Sequence, residues 1–215
     1  GKGRLVPSCM DETSMPLMKA RLAHRPVSRH AGGMPVVLAS SSPRRRELLE
    51  QAGVSFEMVA SPAEEIHDAA MKPDLLCELN ATLKAAAVAL WRPDATVIGS
   101  DTLVFIDDLP LGKPADLEEA RGMLRRLSGR THRVCTGVCV IYPGGEKNVF
   151  HDTTEVTFLT LDDAAIEEYF ALVNPLDKAG AYGIQESGER IIAGIRGNFD
   201  NVMGLPVAKV IAALG

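Results

Sequence analysis

Several things are scarce in this 215-residue chain, and each scarcity narrows what it can be. Four cysteines, Cys9, Cys77, Cys135 and Cys139, are too few and too scattered for a disulfide framework. No CxxC pair supports a zinc site. Cys135 and Cys139 fall four apart in one strand-like run, where they face the same way and suit small core hydrophobes. Positive charge is not in surplus: 23 Lys and Arg stand against 28 Asp and Glu, a formal net charge of −5. That balance argues against a general nucleic-acid or anionic-membrane binder, which needs excess cations. No apolar run approaches the roughly 18–20 residues that a membrane span requires. Aromatics reach only 5%, yet hydrophobic residues make up 46%, an ordinary globular share that excludes disordered and collagenous chains. The expected setting is cytoplasmic and reducing, with no membrane and no nucleic-acid partner.

Familiar motifs are missing too. Lys113 in Leu111-Gly112-Lys113-Pro114 is not a phosphate loop, because Pro114 stands where Ser or Thr is required and the upstream glycine is absent. There is no GxGxxG, no GxSxG elbow and no HExxH, and the five histidines show no ligand spacing. Asn80-Ala81-Thr82 is a formal glycosylation sequon, but it lies inside a helical pattern without a secretory signal and carries no weight.

What is present divides at residue 33. Residues 1–33 carry a local charge of +4 and neither apolar periodicity nor a secretory h-region, so they are expected to be a disordered basic extension or an expression remnant. The remaining 34–215 is a single acidic body, −9 from 17 basic and 26 acidic side chains. Here apolar runs alternate with helical patterns. A short strand at 36–39 stops at Ser40-Ser41-Ser42, Pro43 opens a helix towards Gly53, and Val54–Ala60 reads as a second strand. A helix from Pro73 to about Trp91 sets Leu76, Leu79, Leu83, Ala86 and Leu90 at helical spacing. A buried strand from Ala95 ends at Asp101, followed by the apolar run 103–106 and a turn at 107–110. Asp116 and Asp162 are N-caps, two long strands flank Pro143-Gly144-Gly145, a strand lies near 191–195, and a last helix follows Pro206. The order implies an α/β architecture with a mixed, twisted sheet and flanking helices.

The strongest chemical signal is Ser40-Ser41-Ser42-Pro43-Arg44-Arg45-Arg46. Three arginines at a helix N-terminus are locally unfavourable, because that end already carries partial positive charge. A bound anion reverses the sign: backbone N–H groups, serine hydroxyls and arginine forks would converge on phosphate oxygens. A solvated basic face is the alternative. Asp101, read at the end of a strand, could ligate Mg²⁺, orient water or merely cap a turn. Glu64 and Glu65 sit in a polar loop, and Lys84 falls beside an apolar stripe where lysines ordinarily snorkel to water.

Taken together, the segments resemble one family. Residues Leu38 to Leu49, then Glu65, Lys84, Gly99-Ser100-Asp101-Thr102, Leu111-Gly112-Lys113-Pro114, Leu127 to His132, Pro175 to Gln185 and Gly197 to Pro206 follow the pattern of the Maf family of nucleotide pyrophosphatases, over essentially residues 35 to 214. The resemblance implies a two-lobed α/β fold around a nucleotide cleft, related to inosine triphosphate pyrophosphatases. It also implies hydrolysis of nucleoside triphosphates to the monophosphate and pyrophosphate with a divalent cation (Mg²⁺, with Mn²⁺ or Co²⁺ as substitutes). By the same resemblance Ser40, Arg44 and Arg45 bind phosphate, Glu65 and Asp101 hold metal or orient water, and Lys84 and Lys113 are phosphate lysines. The string Ala181-Tyr182-Gly183-Ile184-Gln185 is similar to the branch acting on dTTP and UTP, where Gln185 helps read the pyrimidine with Thr102 nearby. A homodimer is implied as well. Glu64-Glu65 replaces the more usual Asp-Glu pair, so Glu65 is chosen on register alone, and residues 1–33 have no counterpart. The competing functions are a nucleotide-binding regulator of cell division with incidental catalysis, and a pyrophosphatase for modified purines such as 7-methyl-GTP.

Overall fold

The computed structural model describes residues 33–215; the expectations for Cys9 and for the basic segment before Gly33 lie outside the described residues. The chain runs β1 (Val36–Leu38), α1 (Pro43–Gln51), β2 (Glu57–Met58), α2 (Pro73–Ala89), β3 (Thr96–Ile106), β4 (Leu109–Leu111), α3 (Leu117–Leu127), β5 (Thr131–Ile141), β6 (Lys147–Phe158), α4 (Asp163–Phe170), β7 (Ile192–Arg196), α5 (Phe199–Met203) and α6 (Val207–Leu214). The local signals act where expected. Pro43 sits in the first turn of α1, Asp116 accepts from the Glu119 N–H and Asp162 from the Ala165 N–H, and Gly129 after α3 takes φ +65°.

The strands form one seven-stranded sheet in the order β2-β1-β3-β5-β6-β7, with β4 folded back onto β3. β1 is parallel to β2 and β3, and the other pairings are antiparallel. The sheet is therefore mixed, with helices flanking it. Side chains of β3 alternate cleanly between its faces. Val97 joins Val37, Ala81, Ala85, Val88 and Cys139 beneath α2, whereas Ile98, Val104 and Ile106 join the larger core with Leu48, Leu124, Leu127, Ile166, Tyr169 and Val210.

Three details depart from the sequence reading. β3 does not end at Asp101: it continues to Ile106, and Asp101 lies at its middle, opposite Gly137 of β5. The polar run Ser100-Asp101-Thr102 looks like a stop, but partners far along the chain satisfy those side chains inside the sheet. The strand expected over 54–60 shrinks to Glu57–Met58, because its only neighbour, β1, is three residues long and offers no further pairing. The buried stripe of α2 is not the leucine row. Leu76, Cys77, Asn80, Ala81, Ala85 and Val88 face inward, while Leu90 is 82% exposed. Gly99 and Gly137 explain the offset: a Cβ at either would overlap the backbone of α2, so the helix lies almost directly on the strands, where small residues fit.

The sheet also contains an opening. Along one edge of β3, β1 pairs Thr96–Ile98 and β4 pairs Val104–Ile106. Between them, residues 99–103 have no strand partner on that edge among the described residues. Short strands at both ends of a long one leave a notch, and the polar triplet of β3 borders it.

Candidate active site

A cleft of about 860 Å³ opens at this notch, and all nine side chains singled out from the sequence line it: Ser40, Arg44, Arg45, Glu65, Lys84, Asp101, Thr102, Lys113 and Gln185. Because β3 alternates, the notch gives access to both faces of the sheet. Asp101 points to the α2 side and Thr102 to the other.

On the α2 side, the Lys84 ammonium donates to Glu65 Oε1 at 2.6 Å and to Asp101 Oδ1 at 2.7 Å. Lys84 is therefore no snorkelling lysine; it turns inward from α2 and bridges two carboxylates. The register question at Glu64 and Glu65 is answered by direction, since Ala63, Glu65 and His67 line the cleft at every second position while Glu64 does not. Asp101 is buried, and its second oxygen accepts from Asn80 Nδ2 at 3.1 Å.

On the opposite side, Arg45 is held wholly by neutral acceptors. Its Nε donates to the Gly204 carbonyl at 2.8 Å, Nη2 to Thr102 Oγ1 at 3.0 Å and Nη1 to Ser40 Oγ at 3.4 Å. Burial lowers its proton affinity, while Asp101 and Glu65 across the notch pull it back up. Among the described residues no carboxylate lies within ion-pair distance of Arg45. A guanidinium stays protonated regardless, so the cleft contains a standing, uncompensated positive charge beside the serine turn at the start of α1. Ser42 caps that helix, accepting from the Arg45 N–H at 3.5 Å. Arg46 leaves the site altogether and pairs with Glu50 on the exposed side of α1.

The rim carries the rest. Arg44 faces Asp177 at 3.6 Å and Glu186 at 4.0 Å, and Lys113 and Gln185 are exposed on the cleft wall. Lys178, which was assigned no role, is 4% exposed and bonds the Asn174 carbonyl, Asp177 and Glu186 at 2.8, 2.7 and 3.0 Å. Gly183 makes room for it, since a Cβ there would press on the Lys178 stem. Asn80 was likewise missed as a functional residue. The signal for it was a polar side chain on an otherwise apolar helix face. Tyr182 also lines the cleft; its hydroxyl meets His132 Nε2 at 2.7 Å, and burial pushes His132 down to about 4, leaving it neutral.

Glu65 and Asp101 offer hard carboxylate oxygens to a cation. No group of three or more His, Cys, Asp and Glu converges among the described residues, so these two carboxylates are what the cleft would offer a metal ion. That set fits Mg²⁺, which keeps several waters and takes its remaining ligands from substrate phosphates.

The chain is similar to several known proteins. A curated protein of Akkermansia muciniphila named dTTP/UTP pyrophosphatase is 55% identical over 180 residues, covering 84% of this chain and 95% of its own length. One of the same name from Bacillus velezensis is 49% identical over 179 residues, covering 83% and 94%. A solved nucleoside-triphosphatase (dITP/XTP pyrophosphatase) of Mycobacterium abscessus aligns at a TM-score of 0.43 and 18% identity, covering 84% of this chain and 93% of that one. Residues 35–215, a span that contains the whole sheet and the cleft, match the model of the family described as Maf-like protein, and the chain belongs to that family.

Proposed function

We propose that this chain is a nucleoside triphosphate pyrophosphatase that hydrolyses dTTP and UTP to the monophosphate and pyrophosphate. The observation that carries the reading is Arg45: a partly buried cation with no carboxylate within ion-pair distance among the described residues, which lines with Ser40 a cleft whose far wall holds two carboxylates. Such an arrangement is poorly balanced when empty and well matched to a polyanion. The names of the relatives supply the nucleotide class, and the family resemblance assigns Gln185, exposed on the cleft wall, to the base.

Hydrolysis joins the water oxygen to phosphorus and breaks the anhydride bond that releases pyrophosphate. Arg45 and Ser40 hold phosphate oxygens, with Arg44 and Lys113 reaching in from the rim. Their fixed charge stabilises the negative charge that develops on the equatorial oxygens and on the leaving pyrophosphate. Asp101 serves as metal ligand, general base or both, and Lys84 bridges it to Glu65. A divalent cation on Glu65 and Asp101 would add positive charge against the phosphates and make water a stronger acid. Three free buried cysteines suit a reducing cytoplasm, and no helix among the described residues is long and apolar enough to cross a membrane.

The test is pyrophosphate release across a panel of nucleotides, including dTTP, UTP, the purine triphosphates and 7-methyl-GTP, with and without Mg²⁺. Turnover of dTTP and UTP above the others, only with metal, is expected. Tight binding without turnover on any nucleotide would make the protein a regulator instead, and preference for a modified purine would overturn the pyrimidine assignment.

A further inference from the structure

The amide of Asn80 is 1% exposed on the inward face of α2, among Leu76, Cys77, Ala81, Ala85 and Val88. It is therefore unavailable to a glycan, and its polar atoms meet the Ile66 backbone and the Asp101 carboxylate instead. Oδ1 accepts from the Ile66 N–H at 2.8 Å, and Nδ2 donates to the Ile66 carbonyl at 3.1 Å and to Asp101 Oδ2 at 3.1 Å.

Ile66 directly follows Glu65, in a stretch without regular secondary structure. Two bonds to the N–H and C=O of one residue fix that piece of chain in both position and rotation, as a strand partner would. The third bond fixes the rotation of the Asp101 carboxylate, whose other oxygen belongs to Lys84. Lys84 lies four residues further on and bonds Glu65 itself, so neighbouring turns of one helix face grip both carboxylates. The core alone does not call for an amide here. Ile66 is 38% exposed and is no part of the core cluster beneath α2. The bond to Asp101 is what a merely space-filling side chain would not supply.

We propose that Asn80 is a positioning residue that holds Glu65 and Asp101 in mutual register so that both meet the same ligand. The inference rests on reading those two carboxylates as the functional pair. Groups that orient functional ligands from behind typically contribute about 10- to 100-fold to activity or metal affinity.

The experiment compares Asn80→Leu and Asn80→Asp with Glu65→Gln and Asp101→Asn in the full chain. It reads kcat and KM for dTTP with Mg²⁺, thermal unfolding, and amide hydrogen exchange at Ile66 without metal or nucleotide. Asn80→Leu should lower kcat about 10- to 100-fold with KM within about threefold. Exchange at Ile66 should quicken about fivefold or more, as the loss of one hydrogen bond implies. Asn80→Asp retains the acceptor for the Ile66 N–H but loses the donor to the Ile66 carbonyl and to Asp101, so Ile66 should exchange more slowly than in Asn80→Leu while kcat falls. It also keeps the proposal testable if the leucine variant fails to fold. An Asn80 variant that is folded and turns over within about twofold of the parent, while Glu65→Gln and Asp101→Asn are inactive, overturns the role of Asn80 alone. Full turnover by Glu65→Gln and Asp101→Asn overturns the reading of the site beneath it.

Discussion

The two sides of the β3 notch solve opposite electrostatic problems. Towards α2, every charge has an opposite neighbour: Lys84 bridges Glu65 and Asp101, and Asn80 takes the remaining Asp101 oxygen. Towards α1 and α5, Arg45 has only a carbonyl and two hydroxyls. An ion partly withdrawn from water without a counter-ion is costly, and on the proposed function the substrate phosphates would supply the missing charge. The balanced side is suited to hold carboxylates ready for chemistry, and the unbalanced side to hold phosphate. The contrast is local, one residue apart on a strand, because Asp101 and Thr102 emerge on opposite faces.

Substitutions separate the two roles. Asp101→Asn should have the largest effect, a loss of roughly 10²–10⁴-fold in kcat, measured as pyrophosphate release from dTTP with Mg²⁺. Near-parental turnover would remove the α2 side from the reaction. Arg45→Met should lower kcat/KM by roughly 10²–10³-fold, and Arg45→Lys should not restore it, since an ammonium cannot reproduce a fork that meets three acceptors at fixed angles. Full rescue by lysine would mean that the site needs charge alone.

Stability offers a subtler division. Buried His132, on the Arg45 side of the sheet, is held at about 4, below the ordinary value of about 6.5 for a free imidazole. Well above pH 6.5 it is neutral in both folded and unfolded chains and contributes nothing to pH dependence. As pH falls towards 4, the unfolded chain takes up a proton that the fold refuses. Stability should therefore drop, by on the order of 3 kcal/mol once below that value. Urea midpoints at a series of pH values should show this window, and His132→Asn should flatten it. On the α2 side, Gly137→Ala should cost about 1–3 kcal/mol through overpacking, because the added methyl meets the backbone of Cys77. An unfolding curve unchanged by that methyl would show that α2 can lift off the sheet without loss.

How much of this was legible depended on distance along the chain. The start of α1 could be read because Pro43, Ser42 and the arginines act within one turn. The ends of α3 and α4 were equally local, set by Asp116, Gly129 and Asp162. The continuity of β3 could not be read. Ser100 bonds the carbonyl of Gly204, and Thr102 takes Arg45 as partner, so the triplet that looks like a strand stop is satisfied by residues 104 and 57 positions away. The buried stripe of α2 was misjudged for a related reason. Leucines announce an apolar face, but Gly99 and Gly137, on strands formed later in the chain, select the small-residue face. The nine cleft residues came from family resemblance added to local chemistry. Lys178 and Asn80 were overlooked because each looks ordinary until its partners arrive.

By itself, then, the sequence determined the class of architecture, the caps that start and stop its helices, and the set of charged residues available for a triphosphate. Those depend on neighbours within a few positions and on the types of side chain present. Tertiary structure alone decided which lysine bridges which carboxylates, which arginine stays unpaired and which leaves for solvent. It also decided that a polar triplet in mid-strand would border an open notch. Burial and pairing are relations between distant segments, and electrostatic cost depends on both.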